Sequence, residues 1–185
     1  TWLLITDKAP LRGSLNMAVD EYLFARARKG DETFLRFYRW EKPTASLSYG
    51  QEAARAADLD FCLANGIEIV RRMTGGKVVL HLRELTYSLA SSDTETFTPT
   101  LQDSYQLISL ALIKGLALMG LSARLAPASP PTYVRGTMPC FAFPARGEVE
   151  IGGRKIIGSA QKRTGASFIQ HGSVPLDKDE TLLKA

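Results

Sequence analysis

The run SLNMAVDEYLFARARKG repeats apolar residues at helical spacing. Leu15, Ala18, Val19, Tyr22 and Leu23 share one predicted face, with Ser14 as N-cap and Gly30 as the stop. The period then changes. TFLRFYRW (Thr33 to Trp40) and TASLSYG (Thr44 to Gly50) read as strands connected through Pro43. DLDFCLANG, from Asp58, predicts a short helix ended by Gly66, with Cys62 packed among Leu59, Phe61 and Leu63. IEIVRR, VVLH and ELTYSLA predict three strands, the first two separated by MTGGK. From Thr100 to Met119 the spacing predicts a helix ending at Gly120. Its Leu107, Ile108, Leu110, Leu112, Ile113 and Leu116 imply a well-buried element. Pro127, Pro130, Pro131 and Pro139 mark a long loop. EVEIGGRKIIGSA predicts a hairpin turning at Gly152-Gly153, SFIQHGSVPL a further strand, and DETLLKA the start of a helix. Strands outnumber helices and short turns join several of them. The expected fold class is therefore α+β, a mixed or largely antiparallel sheet packed by helices.

A chain of 185 residues suits one domain and buries a core without staples. Two cysteines allow at most one disulfide, which a domain of this size does not need, so a reducing cytoplasm is expected. No apolar run approaches the length of a membrane span, and TWLLITDKAP lacks the basic start of a secretory leader. No membrane partner is expected. Net charge is only +4, but its placement is uneven. Residues 71–83 hold Arg71, Arg72, Lys77 and Arg83 with no acid. Residues 124–163 hold Arg124, Arg135, Arg146, Arg154, Lys155, Lys162 and Arg163 against Glu148 and Glu150. Concentrated bases point to an anionic ligand or an acidic protein partner. Nucleic acid is not expected as a partner, because no recognition-helix or RNP-like pattern accompanies the charge.

RGTMPCFAFP places Cys140 in an irregular, Pro-punctuated segment beside bases, a setting open to a nucleophile where a helix or strand would suggest a packing thiol, and the segment alone does not decide between them. RRMTGGKVVLH is neither a Walker loop nor a dinucleotide fingerprint, because Arg71 stands where the first glycine belongs and Val78 follows the lysine. It offers a strand, a turn bare of side chains at Gly75 and Gly76, and N–H groups suited to an anion; an ordinary hairpin turn reads equally well. In GRKIIGSAQKR, Lys162 follows the small residues Gly158, Ser159 and Ala160, which suits a groove floor with a cation at its end, although a plain surface lysine is the commoner outcome of such a stretch. His81 and His171 are the only histidines, no cluster has zinc spacing, and no metal is expected. GxSxG is absent.

Taken in order, RRMTGGKVVLH, ELTYSL, CFAFP, GGRKIIGSAQKR and QHGSVPL resemble the lipoate-protein ligase and octanoyltransferase family. NMAVDEYL and RFYRW–PTASLSYGQ are similar to its opening helix and first strands, so the match spans nearly the whole chain. Within the family the motifs look most like the cysteine-dependent octanoyltransferases. The resemblance implies the biotin/lipoate ligase catalytic-domain fold: one domain over residues 1–185, with a large mixed sheet, flanking helices and a smaller second sheet. The family's C-terminal helical part is expected to be largely missing, since the chain ends at Ala185. The resemblance also implies two catalytic residues, a Cys140 thioester nucleophile and Lys162 at the acyl carbonyl. The acyl- or lipoyl-binding set it implies is Arg72, Thr74, Gly75, Gly76, Lys77, His81, Gly158, Ser159, Ala160, His171 and Gly172. The resemblance also implies that Gly50 and Gln51 border that pocket, while a strand end and its turn reads equally well.

The implied reaction moves an octanoyl group from acyl-carrier protein, through Cys140, to a lysine of a lipoyl domain or glycine-cleavage H protein. Thioester to amide is downhill, so the transferase needs no cofactor beyond the octanoyl or lipoyl substrate. Three alternatives stand beside it. An ATP-dependent lipoate ligase would use ATP and Mg to form a lipoyl-adenylate. An amidotransferase would shuttle acyl groups between carrier proteins. A non-catalytic lipoyl- or nucleic-acid-binding module would use only the fold and its basic faces. Ligases usually carry three glycines where this chain has Gly75-Gly76-Lys77, which weighs against adenylation.

Overall fold

The computed structural model describes residues 1–98, 100–127 and 147–177. Among the described residues, ten strands fall into two sheets. The larger runs β1 (Trp2–Thr6), β2 (Thr33–Tyr38), β6 (Glu84–Ser91), β10 (Ser167–Pro175), β9 (Arg154–Thr164), β8 (Val149–Ile151) and β7 (Arg124–Leu125), in that spatial order. Only its β1–β2 pair is parallel. The smaller sheet has β3 (Thr44–Leu47) between β4 (Glu68–Arg71), which is parallel to it, and β5 (Val79–His81), which is antiparallel. This is the mixed large sheet with a smaller second sheet that the motifs imply.

Helix α1 (Gly13–Ala27) packs against one face of the large sheet, where Leu23, Phe24 and Ala27 meet Phe34, Ala90 and Ile169. Its first turn also touches the small sheet. The Gly13 N–H donates to Glu68 on β4 at 2.8 Å, so the helix start is capped by a distant carboxylate and not by Ser14. The predicted apolar face is corrected too. Leu15 and Tyr22 are about half exposed, while Asn16, Met17, Asp20, Leu23, Phe24 and Ala27 are buried. The buried stripe is partly polar because Asn16 and Asp20 bind a buried arginine, Arg36, and apolar periodicity cannot register such a stripe.

Helix α4 (Leu101–Leu118) covers the opposite face, with Ile108 buried beside Tyr87, Leu89, Phe97, Val149, Ile157 and Phe168. It is less buried than its composition implied. Leu107 and Leu110 are each 42% exposed, since a helix lying on one sheet face buries a single stripe. Thr100 caps it by accepting from the Asp103 N–H. Two short helices, α2 (Ala53–Ala56) and α3 (Leu59–Ala64), lead into β4, and Cys62 packs fully buried with Ala45, Ala57 and Ile67. Burial raises the Cys62 thiol above its ordinary pKa, and Asp58 adds to that, as suits an inert filler. The β8–β9 turn uses positive φ at both Gly152 (57°) and Gly153 (79°), as the primed hairpin requires. Among the described residues, no helix is long and apolar enough to cross a membrane. The helix expected from DETLLKA, residues 179–185, lies outside the described residues.

Candidate functional site

The glycine turn between β4 and β5 is held from inside by Arg72, which is buried. Its Nε donates to Thr74 Oγ1 at 3.2 Å, and Nη1 to the Ser46 carbonyl at 2.5 Å and to Ser46 Oγ at 3.2 Å. Nη2 donates to the carbonyls of Gly75 at 2.8 Å and Lys77 at 2.6 Å. Drawing these two carbonyls onto one guanidinium folds the backbone tightly. Gly76 takes φ +98°, and a Cβ there would lie 3.1 Å from Arg72 Nη2, so both conformation and space ask for glycine. Among the described residues, the N–H groups of Gly75 and Gly76 find no acceptor. They are donors suited to a carbonyl oxygen or an anion. Arg71 braces the neighbouring turn, donating to the carbonyls of Ser48, Tyr49 and Gln51. The Tyr49 N–H reaches the Thr74 carbonyl and joins the two turns. Gly50 and Gln51 therefore lie beside the glycine turn.

Thr74 is fully buried, with Oγ1 2.6 Å from His171 Nε2 on β10. His171 Nδ1 lies 3.1 Å from Asp20 Oδ2 on α1. Asp20 also accepts from Tyr38 at Oδ2 and from Arg36 and Ser88 at Oδ1. Arg36 is fully buried and is further paired with Asp7 at 2.6 Å and Asn16 Oδ1 at 2.7 Å. Burial drives the Tyr38 hydroxyl far above its ordinary pKa, and the Asp20 carboxylate adds to this, so Tyr38 stays a donor. A second relay runs in parallel. His81 on β5 has Nε2 2.7 Å from Ser46 Oγ and Nδ1 2.8 Å from Glu84 Oε1, and its ring stacks on Trp40 at 4.0 Å. Burial alone would raise the Glu84 carboxyl, but His81 and the hydroxyls of Ser173 and Thr86 outweigh it and hold the group below its ordinary value. The structure thus puts His81 behind the glycine turn, packed and bonded.

Strand alternation divides the small-residue cluster of β9. Ala160 pairs with His171, and Lys162 with Ile169, which packs on the α1 side with Met73. Gly158, Ala160 and Lys162 therefore share the face of His171 and the glycine turn. Gly158 and Ala160 are half-buried, and Lys162 is exposed. Ser159 faces the other way, with Oγ 2.8 Å from the Tyr87 hydroxyl, while Tyr105 on α4 donates to its carbonyl. Gly172 points with it, and a Cβ there would lie 2.5 Å from both Ser159 Oγ and Tyr87 Cε1. Ser159 and Gly172 thus face α4, while Gly158 and Ala160 face the turn. Burial raises Tyr87 to about 12, partly offset by Gln170 and Ser159, so its hydroxyl stays neutral.

Of the proposed site residues, the structure brings Arg72, Thr74, Gly75, Gly76, Lys77, Gly158, Ala160, Lys162 and His171 to one region. Lys77 is half-buried, with its carbonyl on Arg72. Cys140, Arg135 and Arg146 lie outside the described residues. Sequence reasoning missed Asp20, Ser46 and Glu84. The only signal for them was the polar residue inside NMAVDEYL and the acid opening ELTYSL, neither informative without a partner.

The family described as lipoyl protein ligase A/B catalytic domain matches residues 12–185. An octanoyltransferase LipM from Carboxydothermus hydrogenoformans is 39% identical over 181 residues, covering 97% of this chain and 66% of the relative. The chain thus spans about two thirds of that relative's length. A structure from T. acidophilum with bound lipoic acid is similar at TM-score 0.80 and 27% identity, covering 100% of this chain and 71% of that one. A lipoate-protein ligase A bound with ATP gives TM-score 0.79 at 27% identity, covering 98% and 68% respectively.

Proposed function

The chain belongs to the lipoyl protein ligase A/B catalytic-domain family, and from that premise we propose that it is a cytoplasmic octanoyltransferase working through Cys140 and Lys162. The observation that carries this reading is the shared face of Ala160, Lys162 and His171 beside the Arg72-held turn. It supplies a floor of small residues, a cation at one end and backbone donors at the side. The similarity to octanoyltransferase LipM supports the same reading.

In the proposed cycle, the Cys140 thiolate attacks the thioester carbonyl of octanoyl-acyl-carrier protein. The carbonyl oxygen gathers charge against the Lys162 ammonium and the N–H groups of the glycine turn. The bond to the carrier sulfur breaks, the carrier leaves as a thiolate that takes up the proton Cys140 had given up to solvent, and the octanoyl group stays on Cys140. A neutral lysine amine of a lipoyl domain or glycine-cleavage H protein then attacks. An amide forms, the Cys140 thiol is released, and no nucleotide is consumed. The nearby ammonium favours the thiolate form of a cysteine whose ordinary pKa is about 8.5.

Chain length permits this pairing. The segment holding Cys140 is anchored where the Gly147 N–H donates to the Ala126 carbonyl at 3.0 Å, and Val149 pairs with Ile157. The tether from Cys140 to Val149 spans at most about 30 Å. The run along β9 from Ile157 to Lys162 is about 17 Å.

A second reading is favoured by the similarity to a ligase bound with ATP. In it, Lys162 would meet the phosphate of a lipoyl-adenylate, and ATP and Mg would be required. Lys77, where the ligases usually carry a third glycine, weighs against that reading. The test is transfer without nucleotide. With octanoyl-acyl-carrier protein as donor and a lipoyl domain as acceptor, the acceptor should gain an octanoyl group in the absence of ATP. Modification that depends on ATP and free acid would favour the ligase instead.

A further inference from the structure

The acceptors around Arg72 require two hydroxyls to point away from it. A guanidinium carries five N–H groups and accepts nothing. It faces the carbonyls of Ser46, Gly75 and Lys77 and the hydroxyl oxygens of Ser46 and Thr74. Each hydroxyl must therefore present a lone pair to Arg72 and send its own hydrogen elsewhere. For Thr74 the partner is His171 Nε2, and for Ser46 it is His81 Nε2. Both nitrogens must then be acceptors, which places the ring proton on Nδ1. In each ring Nδ1 faces a carboxylate, Asp20 or Glu84.

We propose that Asp20 and Glu84 are positioning residues for acyl transfer: they hold His171 and His81 with the proton on Nδ1, and thereby orient the Thr74 and Ser46 hydroxyls to receive Arg72. Neither carboxylate touches the reacting atoms. They act through the clamp on the Gly75 and Lys77 carbonyls, which shapes the turn whose Gly75 and Gly76 N–H groups face the substrate carbonyl. This role rests on the acyl-transfer reading given above.

Asp20→Asn is the informative change. Oδ1 accepts from Arg36 and Ser88, both donors, so the amide oxygen stays there. The amide nitrogen then faces His171 Nδ1 and the Tyr38 hydroxyl and donates to both, with Tyr38 turning its own hydrogen away. The ring proton moves to Nε2, displaces the Thr74 hydroxyl hydrogen, and turns it against the Arg72 Nε–H.

The experiment combines long-range proton–nitrogen NMR of the two histidine rings with single-turnover octanoylation of the full chain by octanoyl-acyl-carrier protein. Wild type should carry both ring protons on Nδ1. Asp20→Asn should move only the His171 proton to Nε2 and slow octanoylation about 10²-fold, the scale of a small misplacement at a reacting centre. Glu84→Gln should leave the His81 proton on Nδ1 and change the rate little, because Trp40 and Thr86 donate to the same Oε1 that faces His81 and keep the amide oxygen there. Thr74→Val should match Asp20→Asn, Thr74→Ser should retain wild-type rate within about threefold, and the Asp20→Asn/Thr74→Val double variant should be no slower than Thr74→Val alone.

A wild-type His171 proton on Nε2 overturns the proposal. So does a moved proton with an unchanged rate, or a double variant much slower than Thr74→Val. If Asp20→Asn does not fold, the wild-type ring assignment and the Thr74→Val against Thr74→Ser contrast decide the matter alone. A wild-type chain that shows the ring protons on Nδ1 but never takes up octanoate contradicts the acyl-transfer reading, and the positioning role for that reaction falls with it.

Discussion

Ala160 on β9 and His171 on β10 face each other across the antiparallel ladder, on the face that also carries Lys162. The imidazole that holds Thr74 and the small side chain flooring the proposed acyl groove are thus immediate neighbours. A larger residue at 160 would occupy acyl space without touching the core on the α4 side. Ala160→Leu should abolish octanoyl uptake while shifting the melting temperature by only a few degrees, about the effect of a change within ~1 kcal/mol. Shorter acyl donors should lose less than octanoyl, which a chain-length series of carrier thioesters would read directly.

Arg72→Lys keeps the charge and discards the fork. Three ammonium donors cannot serve acceptors on Ser46, Thr74, Gly75 and Lys77 at once. Carbonyls left buried without a donor cost about 1–3 kcal/mol each, so the variant should lose at least that much stability. Urea denaturation would measure it. Acyl transfer should fall further than stability predicts, since the turn loses its shape before the protein unfolds.

Glu84 sets part of the acid limit of the fold. Its folded pKa lies below the ordinary glutamate value of 4.5, so the ionised form is favoured in the native state. The stability this adds is complete above the unfolded pKa and is lost as pH falls through the folded value. Melting temperatures taken from neutral pH down to about 3 should therefore drop below the ordinary glutamate range. Glu84→Gln should be less stable at neutral pH and show a shallower acid decline. Parallel curves for the two proteins would contradict this account.

Gly172→Ala places a methyl 2.5 Å from Ser159 Oγ and Tyr87 Cε1 and 3.0 Å from the Gly158 carbonyl. Tyr87 cannot withdraw easily, because its hydroxyl is bonded to Ser159 and Gln170 in the core. Overpacking of this kind costs about 1–3 kcal/mol, and here strand β10 must also shift. The variant should unfold at clearly lower denaturant. Tyr87→Phe should add less to its loss than it costs in wild type, because the two changes act on one contact.

Most elements of the fold could be read from periodicity, because β6, β9 and β10 are rich in strand formers and the Gly152-Gly153 turn is unambiguous. The packing of the helices was harder to read. Leu15 and Tyr22 look like core residues and Asp20 does not, yet the structure buries Asp20 and exposes the other two. Asp20 is inside because Arg36 is inside, and a buried charge pair is invisible until α1 is laid against β2. The same holds for the site. GGK, GSA and the lysine of QKR stand out in the sequence as small and cationic groups. That Arg72 turns inward, and that Ser159 faces α4 while Ala160 faces the turn, follows only from register. Ser46 gave no sign and Glu84 only the acid that opens ELTYSL, since each is meaningful only through His81.

The central claim is that Cys140 carries the acyl group with Lys162 beside it. Intact-protein mass spectrometry after exposure to octanoyl-acyl-carrier protein, without ATP, tests it most directly on wild type, Cys140→Ala and Lys162→Ala. The account predicts one octanoyl adduct, removed by hydroxylamine, absent from the cysteine variant and formed far more slowly by the lysine variant. An adduct that survives in Cys140→Ala, or no adduct on folded wild type, would contradict it.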